Sequence, residues 1–141
     1  MQNFFQKNDK NDSEIFHKIE QACDGLIYIS ETDSAVQPFF GQPTDTVNGE
    51  IILQQAGLSA EASIEERSYD EFFARLTTIK DWYGEAETAK AKKFLELKTL
   101  LEENLSGLKV FRTGTIRLDI FAVGIDKDRN LIGVTTKAVE T

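Results

Sequence analysis

The chain has 141 residues, enough for one domain with a proper core, and 24 acids against 16 bases leave it at net charge −8. A surface of that sign repels nucleic-acid phosphates and attracts basic proteins, which argues against direct binding to DNA or RNA. Cys23 is the single cysteine, so no intrachain disulfide can form, as suits a reducing compartment.

In chain order, residues 1–11 are polar and of mixed charge and read as a flexible N-terminal tail, with one domain over 12–141. A helix is expected from Ser13 to Cys23, capped by Asp12 or Ser13. Its apolar stripe is Ile15, Ile19 and Ala22, flanked by Phe16 and Cys23, and Asp24-Gly25 stops it. The run LIYIS, 26–30, fits either a last helical turn or a strand. Residues 31–49 hold both prolines and many turn formers, with one short extended piece expected around 37–40. EIILQQAG reads as a short helix closed by Gly57.

Ile64 to Arg67 is expected to be extended. Ser68 and Glu71 have the spacing of a capping box, opening a helix that buries Phe72, Phe73 and Leu76. TTIKDWYG is a loop carrying the single tryptophan, Trp82. It suits either a half-buried loop anchor or an interface residue. The longest helix, 85–105, repeats Ala86, Ala89, Phe94, Leu97, Leu101 and Leu105 at helical spacing. The last third reads as strands at 109–113, 115–125 and 131–139, with the segment DKDRN as a turn. The sum is an α+β single domain with a mostly antiparallel sheet.

No enzyme constellation emerges. Asp126, Asp128 and Asn130 open like a calcium loop, but Leu131 and Lys137 stand where that loop needs glycine and glutamate. His17 is the single histidine; Glu20 and Gln21 lie near it on the helix, but with no second histidine Cys23 alone is a poor start for a zinc site. Cys23 lies at a helix C-terminus, where the dipole disfavours a thiolate. No glycine set forms a phosphate loop. The N-terminal stretch MQNFFQKNDKNDS has no apolar run of signal-peptide length, and nothing approaches the ~20 apolar residues of a membrane span. A cytoplasmic protein without enzymatic activity is therefore expected.

The stretches SEIFHKIEQACDGLIYISE (13–31), EIILQQAG (50–57), FFARLTTIKDWY (72–83), KFLELKTLLEENL (93–105) and TTKAVET (135–141) together resemble the nuclease A inhibitor family. That family comprises small acidic proteins that block a sugar-non-specific nuclease. The resemblance implies an α-β-α sandwich similar to the pathogenesis-related-1 fold. It also implies partner contacts at Glu31, Lys80, Asp81, Trp82, Glu140 and Thr141. Thr141 would bridge to the catalytic magnesium of the nuclease, so the inhibitor needs no cofactor of its own. An inhibitor of this size is expected to be a monomer when free. The sequence departs from the family pattern at Lys80, where a glutamine is expected, and at Ile79, where proline is common. The alternative is an acidic protein-binding module of the same fold with a different basic partner.

Overall fold

A computed structural model describes residues 10–141. Residues 1–9, most of the expected tail, lie outside the described residues, and a 3-10 turn, Lys10–Asp12, leads into the domain. Helix α1, Glu14–Cys23, begins at Ser13, whose hydroxyl accepts from the Phe16 N–H at 3.1 Å and so satisfies one open donor of the first turn. Its buried residues are Phe16, Ile19 and Cys23, while Ile15 and Ala22 flank them half-buried. The apolar face is therefore rotated by about one residue from the expected stripe.

Strands β1 (Ile27–Ile29) and β2 (Asp33–Ala35) form a two-stranded antiparallel ribbon. Strand β3 is Gln37–Pro43, helix α2 Gly49–Gln55, strand β4 Ile64–Arg67 and helix α3 Tyr69–Thr77. Helix α4 is Glu85–Asn104, followed by strands β5 (Ser106–Gly114), β6 (Arg117–Ile125) and β7 (Asn130–Val139). Five of the strands make one antiparallel sheet in the order β3-β7-β6-β5-β4.

Residues 33–43 carry more strand than their turn-rich composition predicts. Pro38 and Pro43 are tolerated because β3 lies at the sheet edge, where a missing N–H need not break a ladder. Gly133 lies in β7 beside β6, and a Cβ there would collide with the Ala122 carbonyl. Glycine at this position is a requirement of strand contact, not of turning.

Alternation along the strands makes two cores. Leu118, Ile120 and Ala122 of β6, with Ile132, Val134 and Ala138 of β7, face a helical layer. That layer supplies Phe16 and Ile19 from α1, Phe73 from α3, and Phe94, Leu97 and Leu101 from α4. On the opposite face Phe111, Phe121, Val123 and Leu131 pack against Ile52 of α2 and Val47. Helices thus cover both faces of the sheet, and the fold is α+β with a sandwich of layers.

Helix caps match the local sequence. Ser68 Oγ accepts from Glu71 N–H at 3.2 Å, and Asn48 caps α2 through the Ile51 N–H at 2.9 Å. Gly57 ends α2 with a φ of 72°, a left-handed conformation that an L side chain would strain. At the start of α4 the Glu87 carboxylate reaches back to the Gly84 N–H at 3.1 Å. Ala86 and Ala89, expected on the buried face of α4, are exposed, and its buried stripe starts at Ala91. Ile116, placed by sequence within a strand over 115–125, is exposed and lies just before β6, which starts at Arg117. No helix among the described residues is long and apolar enough to cross a membrane.

Candidate functional site

The last residues of the chain are tied to the tip of the β1–β2 ribbon. Ser30 is the organiser. Its hydroxyl accepts from Val139 N–H at 3.0 Å and from Thr32 N–H at 3.3 Å, and donates to Thr32 O at 3.1 Å. Glu31 N–H then donates to Val139 O at 3.2 Å. These bonds carry the ribbon tip onto the end of β7. A second tie, Thr136 Oγ1 to Ala35 O at 3.0 Å, fixes the other strand of the ribbon.

Glu31 is thereby placed to hold Thr141. The Thr141 N–H donates to Glu31 Oε2 at 2.7 Å. The Thr141 hydroxyl lies 2.9 Å from Oε1 and 3.1 Å from Oε2, so its single proton is shared between the two carboxylate oxygens. The backbone and hydroxyl donors of Thr141, in that order, lower the Glu31 pKa. Both residues are exposed, so this clasp is a surface arrangement and contributes little to global stability.

Glu140, next to Thr141 in the chain, makes different contacts. Its N–H donates to Ile116 O at 2.9 Å, and its carboxylate meets Arg112 Nη2 at 2.5 Å. Arg112 is largely covered while Glu140 is half-exposed. Residues 139–141 are therefore held by four points: Ser30, Ile116, Arg112 and Glu31. Ile29 and Ile116, 56% and 54% exposed, stand beside these points as bare apolar side chains. That is the mixture of apolar patches and fixed polar groups found where proteins meet.

The other expected contacts sit in the loop before α4. Trp82 is 70% exposed, which rules out the half-buried anchor. Its ring is braced edge-on by Tyr83, with centroids 4.8 Å apart, and Lys80 Nζ lies 5.9 Å above it. Lys80 is thus occupied with the indole face, and Asp81 is exposed beside it. This loop leads straight into the first turns of α4, where Ala86, Glu87, Ala89 and Lys90 share a groove with Ile27, Ile29 and Asp33 of the ribbon. The ribbon lies between the two groups, with the chain end bonded to its tip and the start of α4 along its groove.

Ser30, Arg112, Ile29 and Ile116 were not among the residues expected from sequence. Ser30 sits in the ISE segment and could have been suspected, but Arg112 lies 28 residues from Glu140 and only strand pairing brings them together. The other candidates are structural. Cys23 is buried, and burial first, then Glu20, pushes its thiol up to about 12. Asp126 is buried, and its carboxylate accepts from the Asp128 and Asn130 N–H groups at 2.9 Å each, so it shapes the β6–β7 turn. Among the described residues no group of three or more acidic, histidine or cysteine side chains could hold a metal.

These features define a class: an α+β protein in which residues 139–141 are held at an exposed edge by Ser30, Ile116, Arg112 and Glu31. A family model described as nuclease A inhibitor-like protein matches residues 13–141. The chain belongs to the nuclease A inhibitor-like family. No curated protein matches it.

The clasp makes a pH prediction. Because the folded-state pKa of Glu31 is depressed, the clasp is intact above the ordinary glutamate pKa and is lost as pH falls through the lower folded value. The Glu31 side-chain carboxyl carbon resonance should titrate with a midpoint below 4.5, and that midpoint should rise toward the ordinary value in Thr141→Ala, which lacks the hydroxyl donor. A midpoint at or above the ordinary value would mean the clasp is not formed in solution.

Proposed function

We propose that this protein inhibits a magnesium-dependent, sugar-non-specific endonuclease by seating Thr141 against the nuclease's metal. The observation that carries the reading is the clasp: Glu31 takes both donors of Thr141, the N–H at 2.7 Å and the hydroxyl at 2.9 Å. A hydroxyl that donates its proton inward turns its lone pairs outward. Glu31 thus leaves Thr141 Oγ1 as a hard oxygen donor facing solvent, the kind magnesium accepts. The metal belongs to the nuclease, and the inhibitor supplies a ligand already oriented, so little conformational entropy is lost on binding.

The flanking residues then divide the work. Trp82, bare and braced by Tyr83, supplies the rigid aromatic area typical of interface hot spots. Asp81 and Glu31 face cationic side chains that would otherwise grip the nucleic-acid backbone. Lys80, lying over the indole, keeps its charge against the ring rather than toward a basic partner. The net charge of −8 steers the two proteins together.

The test is a titration of the full chain into such a nuclease digesting plasmid in magnesium. Activity should fall linearly to zero at one equivalent. Full activity at a tenfold molar excess, across several nucleases of this type, would reject the reading.

A further inference from the structure

Of the five arginines in the sequence, Arg67, Arg75, Arg112, Arg117 and Arg129, the first three line one groove. The concentration is unexpected in a chain of net charge −8. The groove runs between the start of α3, strand β5 and the ribbon, and is lined also by Tyr28, Ser68, Glu71, Phe72 and Ile120. Its volume is about 500 Å³, within the ~300–1,000 Å³ of small-molecule sites. By contrast, the apolar gap beneath Phe94 and Leu97 is about 10 Å³, too small for a ligand.

The three guanidinium groups are not equally occupied. Arg67 reaches Glu65 through Nε at 3.1 Å and Nη2 at 2.8 Å, in an exposed pair that water screens. Arg112 gives Nη2 to Glu140, and its Nε is buried without a hydrogen-bond partner among the described residues. Arg75 makes no ion pair among the described residues. Arg75 and Arg112 both act on the Tyr28 hydroxyl, lowering its pKa against the larger effect of burial, which raises it. One wall is an aromatic pair, Tyr28 and Phe72, with rings 5.9 Å apart and inclined by only 13°.

We propose that this groove binds a nucleoside monophosphate, its phosphate between Arg75 and Arg112 and its ring against the Tyr28–Phe72 wall. Two forked guanidinium groups match the oxygens of a dianionic phosphate in a way a single carboxylate does not. Of the lining residues only Glu71 carries an opposing charge; Glu65 and Glu140 pair with Arg67 and Arg112 from outside the lining, which leaves Arg75 as the groove's guanidinium without an ion pair among the described residues. A polymeric nucleic acid is disfavoured because its further phosphates would meet the acidic surface, whereas a compact monoester places its charge only in the groove. Glu140 shares Arg112 with the phosphate. Occupancy therefore loosens the hold on Glu140, and the two events oppose each other reciprocally.

The test is a ¹H–¹⁵N titration of the full chain with adenosine 5′-monophosphate, inorganic phosphate and adenosine. Saturable shifts at Tyr28, Phe72, Arg75 and Arg112 are expected with the nucleotide, weaker ones at the same residues with inorganic phosphate, and none with adenosine. Arg75→Gln, a change at an exposed side chain without an ion pair, should weaken nucleotide binding about tenfold. Glu140→Gln, which removes the competing carboxylate, should tighten it several-fold. Unchanged affinity in Arg75→Gln, or adenosine binding as tightly as the nucleotide, would overturn the site. Inorganic phosphate binding as tightly as the nucleotide would overturn the ring contact. All of these readouts are independent of nuclease inhibition.

Discussion

Removing Thr141 is expected to weaken nuclease inhibition by about 100-fold or more, a loss of about 2.7 kcal/mol, while leaving the fold intact. The deletion takes away the oriented Oγ1 and moves the end of the chain back by one residue. The new last residue is Glu140, whose N–H is bonded to Ile116 O and whose carboxylate is tied to Arg112. It cannot reach forward without breaking both contacts. Glu31, in turn, loses the donors at 2.7 and 2.9 Å that hold it and becomes a free surface carboxylate. Thermal stability should hardly change, because Thr141 is exposed and belongs to neither core. The measurement is the inhibition constant of the truncated chain beside its Tm. Undiminished inhibition at equal Tm would retire the metal-contact mechanism and leave an inhibitor that works through Trp82, Asp81 and Glu31.

Phe73→Ala is expected to cost about 3–5 kcal/mol of folding stability. Phe73 is 1% exposed and, with Tyr69, carries α3 into the larger core. Its ring lies 4.8 Å from that of Tyr69 and 5.2 Å, edge-on, from that of Phe72. Tyr69 cannot move in to fill the space, since its hydroxyl donates to Lys98 O on α4 at 3.2 Å. Neighbouring α4 side chains are already committed to the sheet. The cavity therefore stays largely open, which places the cost toward the upper part of the range for such truncations. Urea denaturation followed by far-UV circular dichroism measures it. A loss under about 1 kcal/mol would mean that α3 is not docked as described. Because α3 leads into the loop carrying Trp82, the variant should also show broader resonances across residues 78–84.

Much of the local structure was legible because its causes are local. Ser68 three residues before Glu71, Gly57 after a short apolar helix, and the Asp-rich turn before Asn130 act through bonds within a few residues. The structure shows each at work. The α+β class followed from the change of period between 85–105 and the last third of the chain, since 3.6 and 2 are backbone properties. The residues expected at the partner surface came instead from resemblance. Nothing in spacing or composition connects Glu31 with Thr141.

What the sequence by itself determined, then, is the kind of surface and most of the elements: an acidic protein, four of its helices, and a C-terminal set of strands. What only the tertiary structure decided is which faces are wet and which distant residues meet. Phe72 rather than Tyr69 looked buried, because periodicity marks a stripe but not the neighbour that covers it. Ala86 and Ala89 are exposed because they line an open groove beside the ribbon rather than the core. The prolines left only the 37–40 part of strand β3 legible, since only its place at the sheet edge makes them harmless. Above all, Glu31 and Thr141, 110 residues apart, meet because Ser30 fastens the ribbon tip to the end of β7. Such a contact depends on the pairing of whole strands, and strand pairing is a non-local property that no short stretch of sequence encodes.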